Sequence, residues 1–229
     1  MRYHASPRRA APPHPSLVAS NLTNPPTPDA LREQYFAEQE VVKARLGDTP
    51  LSQVESLNAW RRAISAFGVS PTQYRTAAEA LLRRLTKKGD IPSINTLVDI
   101  GNLVSIRYAL PVAVLDTRAI TGTLTVRHAT GTEMFIDLGS DEAVHPEPGE
   151  VIFADEQDMA VARRWCWRQS AASAANNATT HVIITIEAHH STAQQEVQSA
   201  MHDLCSLLET YTGGTWRTAL LTAEHPAIV

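Results

Sequence analysis

At 229 residues, 43% hydrophobic and 19% charged, the chain has the length and apolar content for a substantial core. No apolar run approaches the roughly 18 residues that cross a bilayer, and the N-terminus lacks the apolar stretch of a signal peptide, so a cytoplasmic protein with no membrane partner is expected. The net charge of −4 divides unevenly: residues 1–90 carry 13 Lys/Arg against 8 Asp/Glu, and residues 91–229 carry 7 against 16, which argues against general nucleic-acid coating and leaves local phosphate contact through the front part.

Residues 1–26 are proline-rich and read as a flexible arm ahead of a single domain, 27–229. Three helices are predicted in its helical front part, 27–90. The first opens at Thr27-Pro28 and runs to about Leu46. The second follows Thr49-Pro50, with Leu51, Val54, Leu57, Trp60, Ile64 and Phe67 forming one stripe. The third starts at the capping box Ser70-Pro71-Thr72-Gln73, buries Tyr74, Ala77, Ala78, Leu81 and Leu85, and stops near Gly89. Its cations Arg83, Arg84, Lys87 and Lys88 point away from the Leu81/Leu85 stripe. They suit either a solvated helix end complementing the dipole or a phosphate-contacting patch.

In the body, 91–190, residues 94–108 read as a buried helix with Leu97, Val98, Leu103 and Val104 inside. Strands are predicted at 112–116, 121–128, 134–138, 149–155, 159–167 and 180–188. The closing part, 191–229, holds an amphipathic helix over about 192–211, ended by Gly213-Gly214, and a last strand in "TWRTALLT". Helices first, strands in the middle and a closing helix define an α+β fold.

Little chemistry follows from motifs alone. Cys166 and Cys205 have no CxxC partner, and His189-His190 on a strand would point to opposite faces, so no metal is expected. Neither GxGxxG nor a Walker loop occurs, and no cofactor is expected. Cys205 borders an apolar stripe and reads as core; Cys166 lies among arginines with no positioned histidine beside it. The stretch "ARRWCWRQS" (162–170) holds two of the four tryptophans. On a strand, Trp165 and Trp167 share one face and Arg164 and Cys166 the other. The tryptophans are either core or the floor of a pocket for a flat or apolar ligand, with arginines at its edge.

The segments "PSINTLVDIGNLVSI", "LPVAVLD", "GEVIFAD", "RRWCWRQ" and a threonine-rich turn before "VIITIEA" follow one another as in the B3/B4 domain family, which this chain resembles from about Trp60 to about His190. That family comprises the bacterial phenylalanyl-tRNA synthetase beta-subunit domain that clears mischarged tyrosine, and free-standing relatives. "WRRAISAFGVSP" and "WCWR" are more similar to the free-standing proteins. The resemblance implies a sandwich-like mixed β core flanked by helices, a pocket at one end, and hydrolysis of the ester linking a wrong amino acid to tRNA. It places Glu187 at a pocket glutamate and Asp116 at the aspartate closing a Pro-x-His-Ala-Phe-Asp run, as catalytic candidates. Ala113 stands where that run has histidine, and a glycine-rich loop is replaced by "RRWCWRQ". Trp165, Trp167, Arg164, Arg168 and Ala113 are then pocket residues, expected to accept a smaller or differently shaped side chain. Glu187 in a surface ion pair and Asp116 as a turn cap are the alternatives, while Asn95, Asp99 and Asn102 read as caps and buried hydrogen-bonding residues. Two functions remain open: a trans-editing aminoacyl-tRNA deacylase, or a non-catalytic module binding tRNA or an amino acid. The oligomeric state is not legible.

Overall fold

A computed structural model describes residues 3–5, 14–221 and 227–228. Among the described residues there are five α-helices: α1 (Asp29–Leu46), α2 (Glu55–Ala66), α3 (Ala77–Lys88), α4 (Thr96–Tyr108) and α5 (Ala193–Tyr211). The strands are β1 (Tyr3–Ala5), β2 (His14–Ser20), β3 (Val112–Asp116), β4 (Leu124–His128), β5 (Phe135–Ile136), β6 (Ala143–Val144), β7 (Val151–Ala154), β8 (Ala160–Arg163), β9 (Arg168–Gln169), β10 (Val182–Ile186) and β11 (Thr215–Leu221). One sheet runs β11-β2-β10-β3, another β1-β4-β7-β8-β9, and β5 pairs with β6. The fold is α+β, as expected. Among the described residues no helix is long and apolar enough to cross a membrane.

Residue parity in the four-stranded sheet explains the layering. Val182, Ile184 and Ile186 of β10, Val114 of β3, and Leu17 and Ala19 of β2 join a core with α1, α4 and α5. The alternate residues Ile183 and Leu115 face the other way and meet Leu124, Val126, Phe153 and Val161 of the five-stranded sheet. With both faces covered, β10 is wholly buried and apolar at every position but Thr185. The helix α4 lies close against this sheet: a Cβ on Gly101 would sit 2.9 Å from a Val114 methyl. Asn95 caps α4 by accepting from Val98 N–H at 3.1 Å, and Asp99 accepts from Thr27 at 2.6 Å and from Ile94 N–H at 2.9 Å. Both therefore hold the fold, while Val98, expected inside, is half-buried.

Three expectations need correction. Residues 14–20 lie within the expected flexible arm, yet they form β2 between β10 and β11. The segment "HPSLVAS" alternates Leu17 and Ala19 toward the helices with Val18 toward the second sheet, and Pro15 sits near the strand start, where proline is tolerated. Residues 3–5 pair in parallel with β4. Second, the Ser70 box closes a single turn, with Tyr74 N–H bonded to Ser70 O at 2.9 Å. The helix begins only at Ala77, because a second box, Thr76 accepting from Glu79 N–H, supplies the effective cap. Third, the strand expected over 159–167 ends at Arg163.

Candidate functional site

The break after β8 builds the site. Arg164 and Trp165 adopt positive φ angles of 44° and 63°. For non-glycine residues this conformation costs about 1–2 kcal/mol each. The buried Glu150 carboxylate offsets it: it takes Nε and Nη2 of Arg163, both at 2.9 Å, and the Arg164 N–H at 3.0 Å. Burial opposes ionisation of Glu150, but these arginines outweigh it and hold the carboxyl below its ordinary range. Trp165 N–H donates to Val151 O at 2.8 Å, and Ala77 N–H of α3 donates to Cys166 O at 2.7 Å. The "RRWCWR" stretch is thus a pinned turn.

That turn separates the tryptophans that a continuous strand would have placed side by side. Trp165 turns inward, edge-on to the fully buried Trp60 with ring centroids 5.5 Å apart, and 5.5 Å and 5.3 Å from the Phe67 and His189 rings. Trp60 and His189 are themselves 4.3 Å apart. Trp167 turns outward and packs edge-on to Tyr74 at 4.9 Å, with the Arg168 guanidinium 4.9 Å from its ring. Arg164 lies 3.7 Å over Tyr74. One tryptophan therefore walls an aromatic cage that runs from the buried Trp60 to the exposed Phe67, and the other belongs to a cation–π stack at its rim.

Glu187 follows β10 on the same side as Ile183 and Thr185, facing the second sheet. Its N–H donates to Pro111 O at 3.2 Å, its carbonyl accepts from Trp60 Nε1 at 3.3 Å, and its carboxylate Oε2 accepts from Trp165 Nε1. Burial among rings pushes the carboxyl up to about 8, against the smaller opposing effect of the Trp165 N–H. Burial and the Glu187 charge push the Cys166 thiol well above its usual range, so its flanking arginines do not make it a nucleophile. Burial and His190 push His189 down to about 4, leaving a neutral ring. Ala113, Thr185, Trp165, Trp167, Arg168 and Glu187 line a cavity of about 60 Å³. At about 10–15 Å³ for one water on such a measure, it admits a few waters or a small side chain, not an aromatic one.

The remaining candidates do not all converge. Asp116 does not share the cavity. It pairs with Val182 while Glu187 lies beyond the Ile186–Val112 pair, so about five residues, or about 17 Å, separate them. They also face opposite sides of the sheet. Asp116 is a turn cap: it accepts from Arg118 N–H at 2.9 Å and Nε at 3.0 Å, and from Thr179 Oγ1 at 2.5 Å. Arg164 stands at the rim and outside the cavity lining. On α3, Arg83 and Lys87 face one cleft, whereas Arg84 reaches Asp90 O at 3.0 Å. Lys88 is exposed. The sequence reading missed Trp60, Phe67, His189 and Thr185 as cage or cavity residues. Thr185 and Glu187 carried a signal: two polar residues on one face of an otherwise apolar segment.

The fold and cavity define an α+β domain with a titratable carboxyl in an apolar pocket beside a two-sheet core. A family model described as the B3/4 domain matches residues 59–213, more than half of the chain, and the chain belongs to that family. It is similar to the phenylalanine–tRNA ligase beta subunit of Mycoplasma genitalium, 34% identical over 69 residues, covering 30% of this chain and 8% of that protein. It is also similar to an N-terminal fragment of the phenylalanyl-tRNA synthetase beta subunit from Pyrococcus horikoshii. That likeness has a TM-score of 0.48 and 11% identity, over 94% of this chain and 49% of that chain. The chain thus spans a small part of the first relative and about half of the second.

Proposed function

We propose that this chain is an aminoacyl-tRNA deacylase that acts in trans, in the cytoplasm, on a mischarged tRNA. The observation that carries the reading is Glu187: a carboxyl at the cavity wall, held by the Trp165 N–H, with its pKa near 8. A base whose pKa lies near the working pH combines a usable ionised fraction with real proton affinity. In the reaction, Glu187 takes a proton as water attacks the ester carbonyl carbon. The bond to the ribose oxygen then breaks, and that oxygen leaves with a proton returned by Glu187. The products are a free amino acid and a tRNA with its terminal hydroxyl restored. The cavity volume favours a small side chain. A second pocket of this kind meets a physical need, since one methylene is worth only about 1–3 kcal/mol in a single binding step.

Ala113 favours a second reading. It sits in the cavity wall where a histidine would have offered another proton carrier, and a non-catalytic module for tRNA or an amino acid needs none. Loss of ester from a panel of tRNAs, each charged with a cognate or near-cognate amino acid, separates the two. Hydrolysis of one mischarged pair, lost in Glu187→Ala, supports the deacylase; tRNA binding without hydrolysis supports the module.

A further inference from the structure

The cations of α3 do not form one face. Arg84 turns back, its Nη2 3.6 Å from Asp90 Oδ1. Arg83 and Lys87 instead line a polar cleft of about 490 Å³ between α2, α3 and the 47–52 segment, where Arg61 and Arg75 join them. Arg61 and Arg75 are held in place rather than free to wander. The Glu79 carboxylate, buried at the cleft floor, takes Arg61 Nη1 at 2.7 Å and lies 3.5 Å from Arg75 Nε, and Arg61 Nη2 also reaches Thr72 at 3.1 Å. Arg83 and Lys87 are exposed and make no ion pair among the described residues. Four cations against two carboxylates, Glu79 and Asp48, leave an excess of positive charge in a concave, partly pre-organised site.

Guanidinium forks match the oxygens of phosphate, and a lysine supplies a mobile point charge beside them. The cleft also adjoins the Glu187 cavity. Arg75 lines the cleft and Ala77 lines the cavity, and two residues span at most about 7 Å. The first turn of α3 is therefore a wall common to both. We infer that this cleft is a phosphate-binding site. On the deacylase reading, on which the identity of the ligand rests, the phosphate belongs to the backbone of the RNA strand whose terminal ester enters the cavity.

The test compares the wild type with Arg83→Glu/Lys87→Glu, which removes the cleft cations, and Arg84→Glu/Lys88→Glu, which reverses charge elsewhere on the helix. Uncharged tRNA binding is followed by anisotropy across a series of KCl concentrations, and Tm is followed against inorganic phosphate. The cleft pair is expected to lower the slope of log affinity against log salt by between about one and two, and the other pair by less than half as much. Phosphate is expected to raise Tm in the wild type and the Arg84/Lys88 variant but not in the cleft variant. The milder Arg83→Ala/Lys87→Ala pair should rank the same way, which guards against disturbance of Glu79 by charge reversal. Equal loss of tRNA affinity from both pairs, or phosphate protection that survives in the cleft variant, overturns the site. Phosphate protection through the cleft without tRNA binding upholds the site for a smaller phosphorylated ligand and removes the deacylase reading instead.

Discussion

Asp116 and Glu187 stand near opposite ends of the β3–β10 pair, and both are 2% exposed. Their environments drive them apart. Asp116 is surrounded by donors from Arg118 and Thr179, which outweigh the opposing effect of burial and lower its pKa. Glu187 is surrounded by rings, and burial raises its pKa to about 8, with the Trp165 N–H opposing. Both are hidden from solvent, but Glu187 lies deeper among its rings, where burial outweighs the Trp165 hydrogen bond, while at Asp116 the donors outweigh burial. One carboxylate ties down a turn, while the other weakens the native state at neutral pH and stays poised to exchange a proton.

The largest expected effect separates them by function. Glu187→Gln keeps the side-chain shape and an oxygen for the Trp165 N–H but cannot take a proton, so turnover on the mischarged pair should fall at least about 100-fold. Single-turnover hydrolysis measures it, and near-wild-type turnover would dismiss Glu187 as the base. Asp116→Ala should do the reverse. It leaves buried donors of Thr179 and the Arg118 backbone without their acceptor, which costs about 1–3 kcal/mol in a denaturant titration, while turnover per folded molecule is kept. Loss of turnover without loss of stability would restore Asp116 to the chemistry.

Stability against pH sharpens the contrast. A carboxyl raised in the folded state binds a proton that the unfolded chain has already released, so Glu187 lowers stability as pH rises from about 4.5 to about 8. Asp116, lowered in the folded state, contributes above its ordinary value of 3.8 and loses that contribution as pH falls below it. The Tm difference between Glu187→Gln and the wild type should therefore grow across pH 4.5–8 and level off above. Asp116→Asn should flatten the acid side alone.

The helical stripe through Leu57, Trp60 and Ile64 and the β-branched run of β10 made those elements legible, because 3.6 and 2 residue periods are written directly into the chain. The "HPSLVAS" strand was hidden, since its prolines resemble a linker and its pairing partners lie about 165 and 200 residues away. The turn at Arg164-Trp165 was hidden for another reason. Its positive φ angles sit on residues that disfavour them, and what holds them is Glu150, across the sheet. Glu187 was found through family resemblance, and its environment was not, because Trp60, Phe67 and Trp165 meet only after folding.

The smallest expected effect tests whether the Trp165 N–H tunes Glu187 or merely fills space. Trp165→Phe keeps an aromatic ring beside Trp60 and Phe67 but removes the donor to the carboxylate. A hydrogen bond to a charged group is worth about 1.5–3 kcal/mol, and one pKa unit about 1.4 kcal/mol, so Glu187 should become harder to ionise by about one unit. The pH–rate profile should shift to alkaline pH by that amount, cutting the rate near neutrality by roughly tenfold. At pH well above the shifted value, the ionised fraction approaches one in both proteins and the rates should converge. A ring that acts only through packing predicts something different: a loss of rate of similar size at every pH.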